Sequence, residues 1–240
     1  MRHWAGLAGM LLLTFALTRV CHGQGAIISA AGPVHRGMGG ASTAAPVSSL
    51  GALYWNPATI SGLGRTELEV GVDLLFTDHR VKSSFGPFSG STDADPGTFP
   101  IPNFGWVYSP QNSALTFGLA VNAVAGFKTN LAADPTNPVL APAPVGLGRV
   151  SSEASFLQIA PSLSLALSER LAVAAGPLIT NAQVGLEPFV FAAANPDATY
   201  SSARATRYHW GGGAQFGLYY IANEDWHFGS SLKTSCSESR

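Results

Sequence analysis

Apolar and polar residues alternate with a period of two in several stretches of this chain, a pattern typical of strands with one apolar and one polar face. The clearest stretch is 67–76, where the even positions from Leu68 to Phe76 are apolar and the odd positions include Glu67 and Asp73. Similar alternation runs through 102–108, 114–124, 156–167, 171–180, 207–220 and 226–233. The pattern predicts an all-β antiparallel protein with about seven strands.

The connections between these strands alternate between long and short. The segments 84–100, 128–149 and 187–204 are long and rich in Pro, Gly, Ser, Asp and Asn, whereas brief turns lie at 109–112, 168–170 and 223–225. Outer-membrane barrels have this arrangement, with long loops outside the cell and tight turns in the periplasm. The second strand face consists of small and uncharged polar residues, which suits a barrel lumen. We therefore predict a partial transmembrane β-barrel over 66–234, whose apolar face contacts outer-membrane lipid.

The N-terminus has the features of a cleaved signal peptide, residues 1–23. Arg2 and His3 give a polar start, 7–17 is apolar, and Gly23 offers a small residue at the cleavage point. Export is therefore expected. After residue 24 no apolar run reaches the 18 residues of a spanning helix, so a barrel is the remaining way to cross a membrane.

Residues 24–65 show no sustained strand period, and Gly and Pro interrupt them. A compact plug, here called the hatch, is one interpretation and a disordered leader is the other. The hatch carries apolar residues that a disordered leader would lack: Leu50, Leu53, Tyr54, Trp55 and Ile60. A plug is therefore favoured.

This segment resembles the N-terminal hatch of the FadL/TodX type of outer-membrane transporters, which carry long-chain fatty acids and aromatic hydrocarbons. The resemblance rests on Arg36-Gly37-Met38-Gly39-Gly40-Ala41, followed by Tyr54-Trp55-Asn56-Pro57-Ala58 with its Asn-Pro-Ala signature. The blocks 102–106 and 225–229 are also similar. The resemblance implies a closed barrel of about fourteen strands, plugged by the hatch and inserted by the barrel-assembly machinery. It also implies that hydrophobic molecules pass through a tunnel to a lateral gap near the third strand.

Two sets of residues are candidates for the transport path. Hatch and gating positions are Gly37, Gly39, Gly40, Asn56, Pro57 and Ala58. Bulky apolar residues on the otherwise small or polar face are Leu75, Val107, Leu178 and Tyr219, which either line a ligand path or pack against the hatch. Arg207 and His209 share that face near an outer loop, where they are predicted to meet a carboxylate head group.

Other functions lack the residues they need. The formal net charge of −1 provides no basic face for nucleic acid. The mature histidines have no zinc-ligand spacing, and no Gly-x-Ser-x-Gly elbow occurs. Glu67, Glu69 and Asp73 share one strand face, where a solvated lumen wall is a better interpretation than a catalytic cluster. We therefore predict a channel without enzymatic activity, cofactor or metal.

The end of the chain departs from the family pattern. Seven strands is an odd number where bacterial barrels are even, and the tail 235–240 is polar and lacks an aromatic last residue. This predicts a truncated product. A structural or adhesive barrel without transport, and a secreted soluble β-sandwich that binds apolar ligands, remain the alternatives.

Two prolines predict a local break in the sheet. Pro161 and Pro177 are equidistant from Glu169 in the turn between the fourth and fifth strands, so a symmetric hairpin places them opposite each other. Neither has an N–H to donate, and the sheet should loosen or bulge there. A weak seam for the sideways exit of an apolar molecule is one interpretation, and two tolerated prolines that relieve twist is the other.

Overall fold

The computed structural model describes residues 27–204 and 206–234, and the backbone of 237–238. The predicted signal peptide 1–23, the first hatch residues 24–26 and most of the tail 235–240 lie outside the described residues. The hatch contains three short helices: α1 (Pro33–Gly37), α2 (Ser49–Trp55) and a 3₁₀ helix (Pro57–Leu63). The hatch is thus folded rather than a disordered leader.

Ten strands follow the hatch in the part of the chain that the structure describes. In chain order they are β1 (Glu67–Phe76), β2 (Arg80–Phe85), β3 (Phe88–Asp93), β4 (Thr98–Tyr108), β5 (Leu115–Leu131), β6 (Val150–Ser168), β7 (Leu171–Glu187), β8 (His209–Ile221), β9 (His227–Lys233) and β10 (Ser237–Glu238).

The wall of the molecule is one curled antiparallel sheet with the order β1-β4-β5-β6-β7-β8-β9. Strand β10 pairs with Gly211 and Gly212 of β8, so two residues of the predicted polar tail extend the sheet. These strands confirm the prediction of seven wall strands in a partial barrel.

The apolar positions of the alternating pattern point away from the hatch. On β1 the even residues Leu68, Val70, Val72, Leu74 and Phe76 are exposed, and the odd residues between them are half-buried. Near the short turns the outer face carries stacked aromatic pairs, whose ring centroids are 6.1 Å apart for Trp106–Tyr108 and 6.5 Å apart for Trp226–Phe228. Such an aromatic belt marks a membrane interface.

The strand bounds differ from the sequence prediction in two ways. Strands β5, β6 and β7 have 17, 19 and 17 residues and are longer than predicted, and β5 and β7 extend into segments expected to be loops. Since about 9–11 residues cross the bilayer core, the extra residues need no apolar alternation although their ladder continues. The connection 77–97 also contains the unpredicted hairpin β2–β3, a separate two-stranded sheet. Conversely, β8 begins at His209 and leaves Arg207 outside the strand.

The hatch packs on the concave face of the sheet, and the largest apolar core lies between the two. Leu53, Ile60 and Leu63 of the hatch contact wall residues there; the wall side of this cluster consists of Val107, Ala120, Ala160 and Leu178. None of the helices in the described part of the chain is long and apolar enough to cross a membrane.

Candidate functional site

Asn56 joins the hatch to the wall. Its fully buried side-chain amide donates hydrogen bonds of 2.8 Å to the carbonyls of Thr43 and of Leu218 on β8. Its side-chain oxygen accepts a 3.1 Å bond from the backbone N–H of Ala58 and so caps the 3₁₀ helix that begins at Pro57. A second contact follows one turn later, where the hydroxyls of Ser61 and Ser164 are 2.7 Å apart. The Asn-Pro-Ala tripeptide is therefore the point at which the hatch is bonded to the inner wall.

Glycines on the inner wall provide the space that the hatch occupies. A Cβ added to Gly217 of β8 would lie 2.3 Å from the Asn56 side-chain oxygen, and one on Gly229 of β9 would lie 2.0 Å from the Thr43 carbonyl oxygen. On β5, on the same face of the sheet, a Cβ on Gly118 would lie 2.4 Å from Leu53. We call these three glycines the socket. Any side chain there would displace the hatch.

The acidic residues of β1 hold the hatch by charge. Glu67 accepts a 2.6 Å hydrogen bond from the backbone N–H of Ser49, and Glu69 accepts one of 3.1 Å from that of Leu50. These are the first two N–H groups of α2, which have no partner within the helix. Asp73 forms an ion pair of 2.8 Å with Arg36. The acidic face is thus an attachment surface for the hatch rather than a solvated wall.

His35 is a buried histidine of α1 that packs against α2. Its side chain is fully buried, both ring nitrogens lack a hydrogen-bond partner within the described part of the chain, and its ring lies directly against Gly51 of α2. Burial lowers the pKa of His35 below its usual value, and the Glu69 carboxylate opposes that effect. The imidazole is therefore packed as a neutral group.

The three predicted gating glycines differ in what the structure requires of them. Gly40 has φ +83°, and a Cβ there would lie 2.4 Å from the Ser29 carbonyl oxygen. Gly39 has φ +65° and open space around it, and Gly37, the last residue of α1, also has open space. Only Gly40 combines a positive φ with a close contact.

Three of the four apolar ligand-path candidates lie under the hatch. Val107 and Leu178 belong to the cluster around Leu53 and Ile60, and Tyr219 packs against Ala58. A ligand reaches them only after the hatch moves, so their part in a path stays a prediction. Leu75 is half-buried opposite Phe99 and outside these clusters.

The predicted cationic contacts are more exposed than the apolar candidates. The sequence analysis missed one further lumenal cation, Lys233. Arg207 and His209 are both exposed at the start of β8. Lys233 faces Gln215 in the ladder, and its ammonium donates 2.8 Å to the Tyr54 carbonyl at the end of α2 and 3.4 Å to the side-chain oxygen of Gln158. The alternation along β9 could have identified Lys233 as a lumenal residue, because the apolar residues of this strand are at even positions and Lys233 is at an odd one.

The wall has a break between β4 and β5. Their ladder ends at the pair Asn103–Asn122, and the register of β5 shifts between Ala123 and Ala125. Beyond that pair, Ile28 donates a 3.0 Å backbone hydrogen bond to Val124, and Ile27 bridges Ala125. Because β4 and β5 are the second and third wall strands, this break lies where the resemblance predicts a lateral gap. The N-terminal segment of the hatch occupies it.

An apolar groove lies at the loop end of the barrel. The hairpin β2–β3 and the segment 132–149 enclose about 810 Å³. Large apolar side chains open into it although they are exposed to solvent: Phe85 is 78% exposed, Phe88 68% and Val145 81%. Exposed apolar surface of this kind marks binding sites.

The predicted proline break is confirmed. Ile159 faces Ile179 and Leu163 faces Ala175, but the three residues between them on each strand have no partner in the β6–β7 ladder. Pro161 and Pro177 are the central residues of the two unpaired stretches.

Within residues 27–204 and 206–234, no three His, Cys, Asp or Glu side chains are grouped so that they could hold a metal ion.

Comparisons with known proteins assign this architecture. The family model described as "Outer membrane protein transport protein (OMPP1/FadL/TodX)" matches residues 23–237. The crystal structure of a Pseudomonas aeruginosa FadL homologue is similar with a TM-score of 0.53 and 13% identity, over 84% of this chain and 50% of that one. A TodX deltaS2S3 mutant, a monoaromatic hydrocarbon channel, is similar with a TM-score of 0.57 and 17% identity, over 78% of this chain and 51% of that one.

The chain spans about half the length of both structures. No curated protein matches the sequence. Nearly the whole chain matches the family model, and at these identities the two structures support the fold alone. The chain therefore belongs to the OMPP1/FadL/TodX family of outer-membrane transport proteins.

Proposed function

We propose that this chain forms the hatch-bearing part of an outer-membrane channel for the passive uptake of hydrophobic compounds, such as long-chain fatty acids. The observation that carries the proposal is the hatch itself. It fills the concave face of the wall, and polar bonds from Asn56 and the β1 carboxylates hold it there. A barrel with a purely structural or adhesive role needs no such plug. The hatch therefore acts as a gate.

The break between β4 and β5 supports a sideways route for the solute. Among the described residues, only the backbone of Ile27 and Ile28 pairs with the β5 edge at Val124 and Ala125. Withdrawing these two residues would leave that edge unpaired and open a path from the lumen to the bilayer. An apolar molecule would then leave without crossing the aqueous periplasm as a free solute.

The outer groove is the proposed first contact for the solute. Its exposed Phe85, Phe88 and Val145 would lose contact with water when an apolar chain binds, which is favourable at about 25 cal/mol per Å². A solute captured there is held at the loop end of the barrel, above the hatch.

Lys233 bears on the class of substrate. Its ammonium lies against the hatch, bonded to the Tyr54 carbonyl and the side chain of Gln158. A carboxylate is a stronger partner for an ammonium than a neutral carbonyl. We therefore favour fatty acids over hydrocarbons, with Arg207 and His209 as earlier contacts for the same head group.

Transport in vesicles tests this function. A complete barrel containing residues 27–234 is reconstituted, and entry of palmitate, toluene and glucose is measured. We expect palmitate to enter and glucose to be excluded, and Lys233→Met to slow palmitate while leaving toluene unchanged. Equal exclusion of all three solutes would refute the proposal in favour of a structural barrel.

Export and insertion are part of the same proposal. We propose cleavage near Gln24, followed by insertion through the barrel-assembly machinery. N-terminal sequencing of the protein from outer membranes, together with heat-modifiability on a gel, tests both. A soluble product in the culture medium would contradict them.

A further inference from the structure

The break between β6 and β7 is confined to the two prolines and their neighbours. The same register continues on both sides of it, because Ile159–Ile179 and Leu163–Ala175 are pairs of one series. The outer flanks are also intact: Pro161 keeps its place opposite Leu119 of β5, and Pro177 opposite Ala214 of β8. The defect is therefore a short interruption inside an otherwise regular wall.

The backbone at the break cannot be paired again by a small shift. Neither Pro161 nor Pro177 has an N–H, so two donors are missing from the centre of the unpaired stretch. The Pro161 carbonyl lies over Gly176, where a Cβ would be only 2.0 Å from its oxygen. Elsewhere in β5–β8, parting two strands in lipid leaves backbone groups unsatisfied. At the proline break most of these backbone groups already lack a partner across the β6–β7 ladder in the closed state, so parting the strands there costs less free energy.

The lumen side of the break is covered by one side chain and the apolar core. Gln215 of β8 is fully buried and donates a 2.8 Å hydrogen bond to the hydroxyl of Ser162 on β6, so it spans the position of Gly176 on β7. Beside it, Ala160 and Leu178 belong to the cluster that contains the hatch residue Ile60. Apolar side chains thus lead from the hatch to this part of the wall.

On the lipid side the break opens onto apolar surface. Leu163 is 43% exposed and Ile179 40% exposed, one on each strand at either end of the unpaired stretch. An apolar molecule passing between the strands would meet hydrocarbon-like groups on both sides. The Gln215–Ser162 bond is the one polar contact described across the opening.

We propose that the Pro161–Pro177 break is a second lateral outlet, through which an apolar solute passes from beneath the hatch into the bilayer. The inference rests on the proposed transport function and is separate from the break between β4 and β5. The strands part where no ladder bonds have to be broken, and Gln215 swings away from Ser162 to admit the solute.

A reversible cross-link tests the outlet. In a complete barrel with Cys236→Ser, the pair Ala160→Cys and Leu178→Cys keeps both prolines and places two thiols opposite each other inside the unpaired stretch, where facing strand residues lie within disulfide reach. The matched control is Leu165→Cys with Val173→Cys, a facing pair of the same hairpin that lies outside the opening and whose ladder is already closed. Entry of palmitate or toluene into vesicles is measured before and after oxidation, and again after reduction.

We expect the disulfide across the break to slow entry roughly tenfold, which corresponds to about 1.4 kcal/mol in the barrier. Reduction should restore the rate, and the control pair should have no effect in either state. Unchanged entry with the disulfide formed would overturn the outlet while leaving transport itself established. Absence of entry in the unmodified barrel would refute transport and the outlet together.

A second variant avoids the cross-link. Pro161→Val with Pro177→Val restores both N–H groups and lets the ladder close. We expect slower entry together with a higher temperature of unfolding. A raised unfolding temperature with unchanged entry would identify the prolines as a structural bulge and overturn the proposal.

Discussion

The side-chain amide of Asn56 and the main-chain carbonyl of Leu218 are joined by a hydrogen bond of 2.8 Å, although 162 residues separate them in the chain. Asn56 is fully buried, so the bond is shielded from water. It is the direct polar connection between the hatch signature and β8. The position of the hatch therefore depends on a wall strand that is synthesised long after it.

Replacing Asn56 by Ala should release the hatch without unfolding the wall. The change removes the bonds to Thr43, Leu218 and Ala58, a loss of about 3 kcal/mol. We expect altered uptake and faster proteolysis of the hatch, with heat-modifiability unchanged. The control is Asn112→Gly, at an exposed turn residue with φ +57°. Wild-type uptake in Asn56→Ala would reduce the tripeptide to a linker.

Filling the socket should also displace the hatch. In Gly217→Ala the new Cβ would lie 2.3 Å from the Asn56 side-chain oxygen and 2.8 Å from the Ala58 nitrogen. We expect a loss of about 2 kcal/mol in hatch docking, measured by hydrogen exchange over 49–63. Gly212→Ala is the matched control on the same strand, since a Cβ there meets nothing within 4 Å. Equal exchange in the two variants would show that the socket does not position the hatch.

The docking of the hatch should weaken in acid because of His35. Burial lowers the pKa of His35, so the released hatch binds a proton more readily than the docked hatch does. The contribution of neutral His35 to the docking of the hatch is therefore present above the ordinary histidine pKa of about 6.5 and is lost as the pH falls below that value. Proteolysis of the hatch should accelerate from about pH 7 to about pH 5. In His35→Gln that acceleration should be absent, and an unchanged pH profile would exclude His35 as its cause.

The chain of 240 residues should not persist alone as an inserted monomer. Within the described residues, β1 pairs only with β4 and β9 only with β8, so each has one free edge. Several backbone groups unpaired in lipid, at several kcal/mol each, exceed the 5–15 kcal/mol of net stability typical of a domain. Reconstitution should give aggregated or protease-sensitive material. A protected monomer in vesicles would contradict this.

Alternation predicted the wall because burial on one face and lipid on the other act on every second residue. The same periodicity located the facing prolines, since the hairpin is symmetric about Glu169 and each residue number fixes its partner. It also assigned Val107, Leu178 and Tyr219 to the inner face, where the structure has them buried. These features depend on local order along the strands.

Features that depend on distant contacts could not be predicted. The glycines of the socket look like any small residues on a lumenal face, because their role appears only when Asn56, Thr43 and Leu53 are in place. The carboxylates of β1 likewise lack a sequence signal for binding the start of α2. The hairpin β2–β3 was missed because its half-buried face carries small or polar residues such as Ser83, Gly90 and Thr92, which give no apolar alternation in the sequence.

The two edges of the wall constrain what can close it. Seven antiparallel neighbours in the order β1-β4-β5-β6-β7-β8-β9 make β1 and β9 run in the same direction. Suppose that further strands close the barrel and pair antiparallel with both β1 and β9. The first and the last of these strands must then run opposite to β1 and β9, so their number is odd. Two copies of this sheet inserted with the same orientation would instead meet through parallel seams. Strand direction alone thus favours closure by an odd number of further strands over a symmetric pair of these chains.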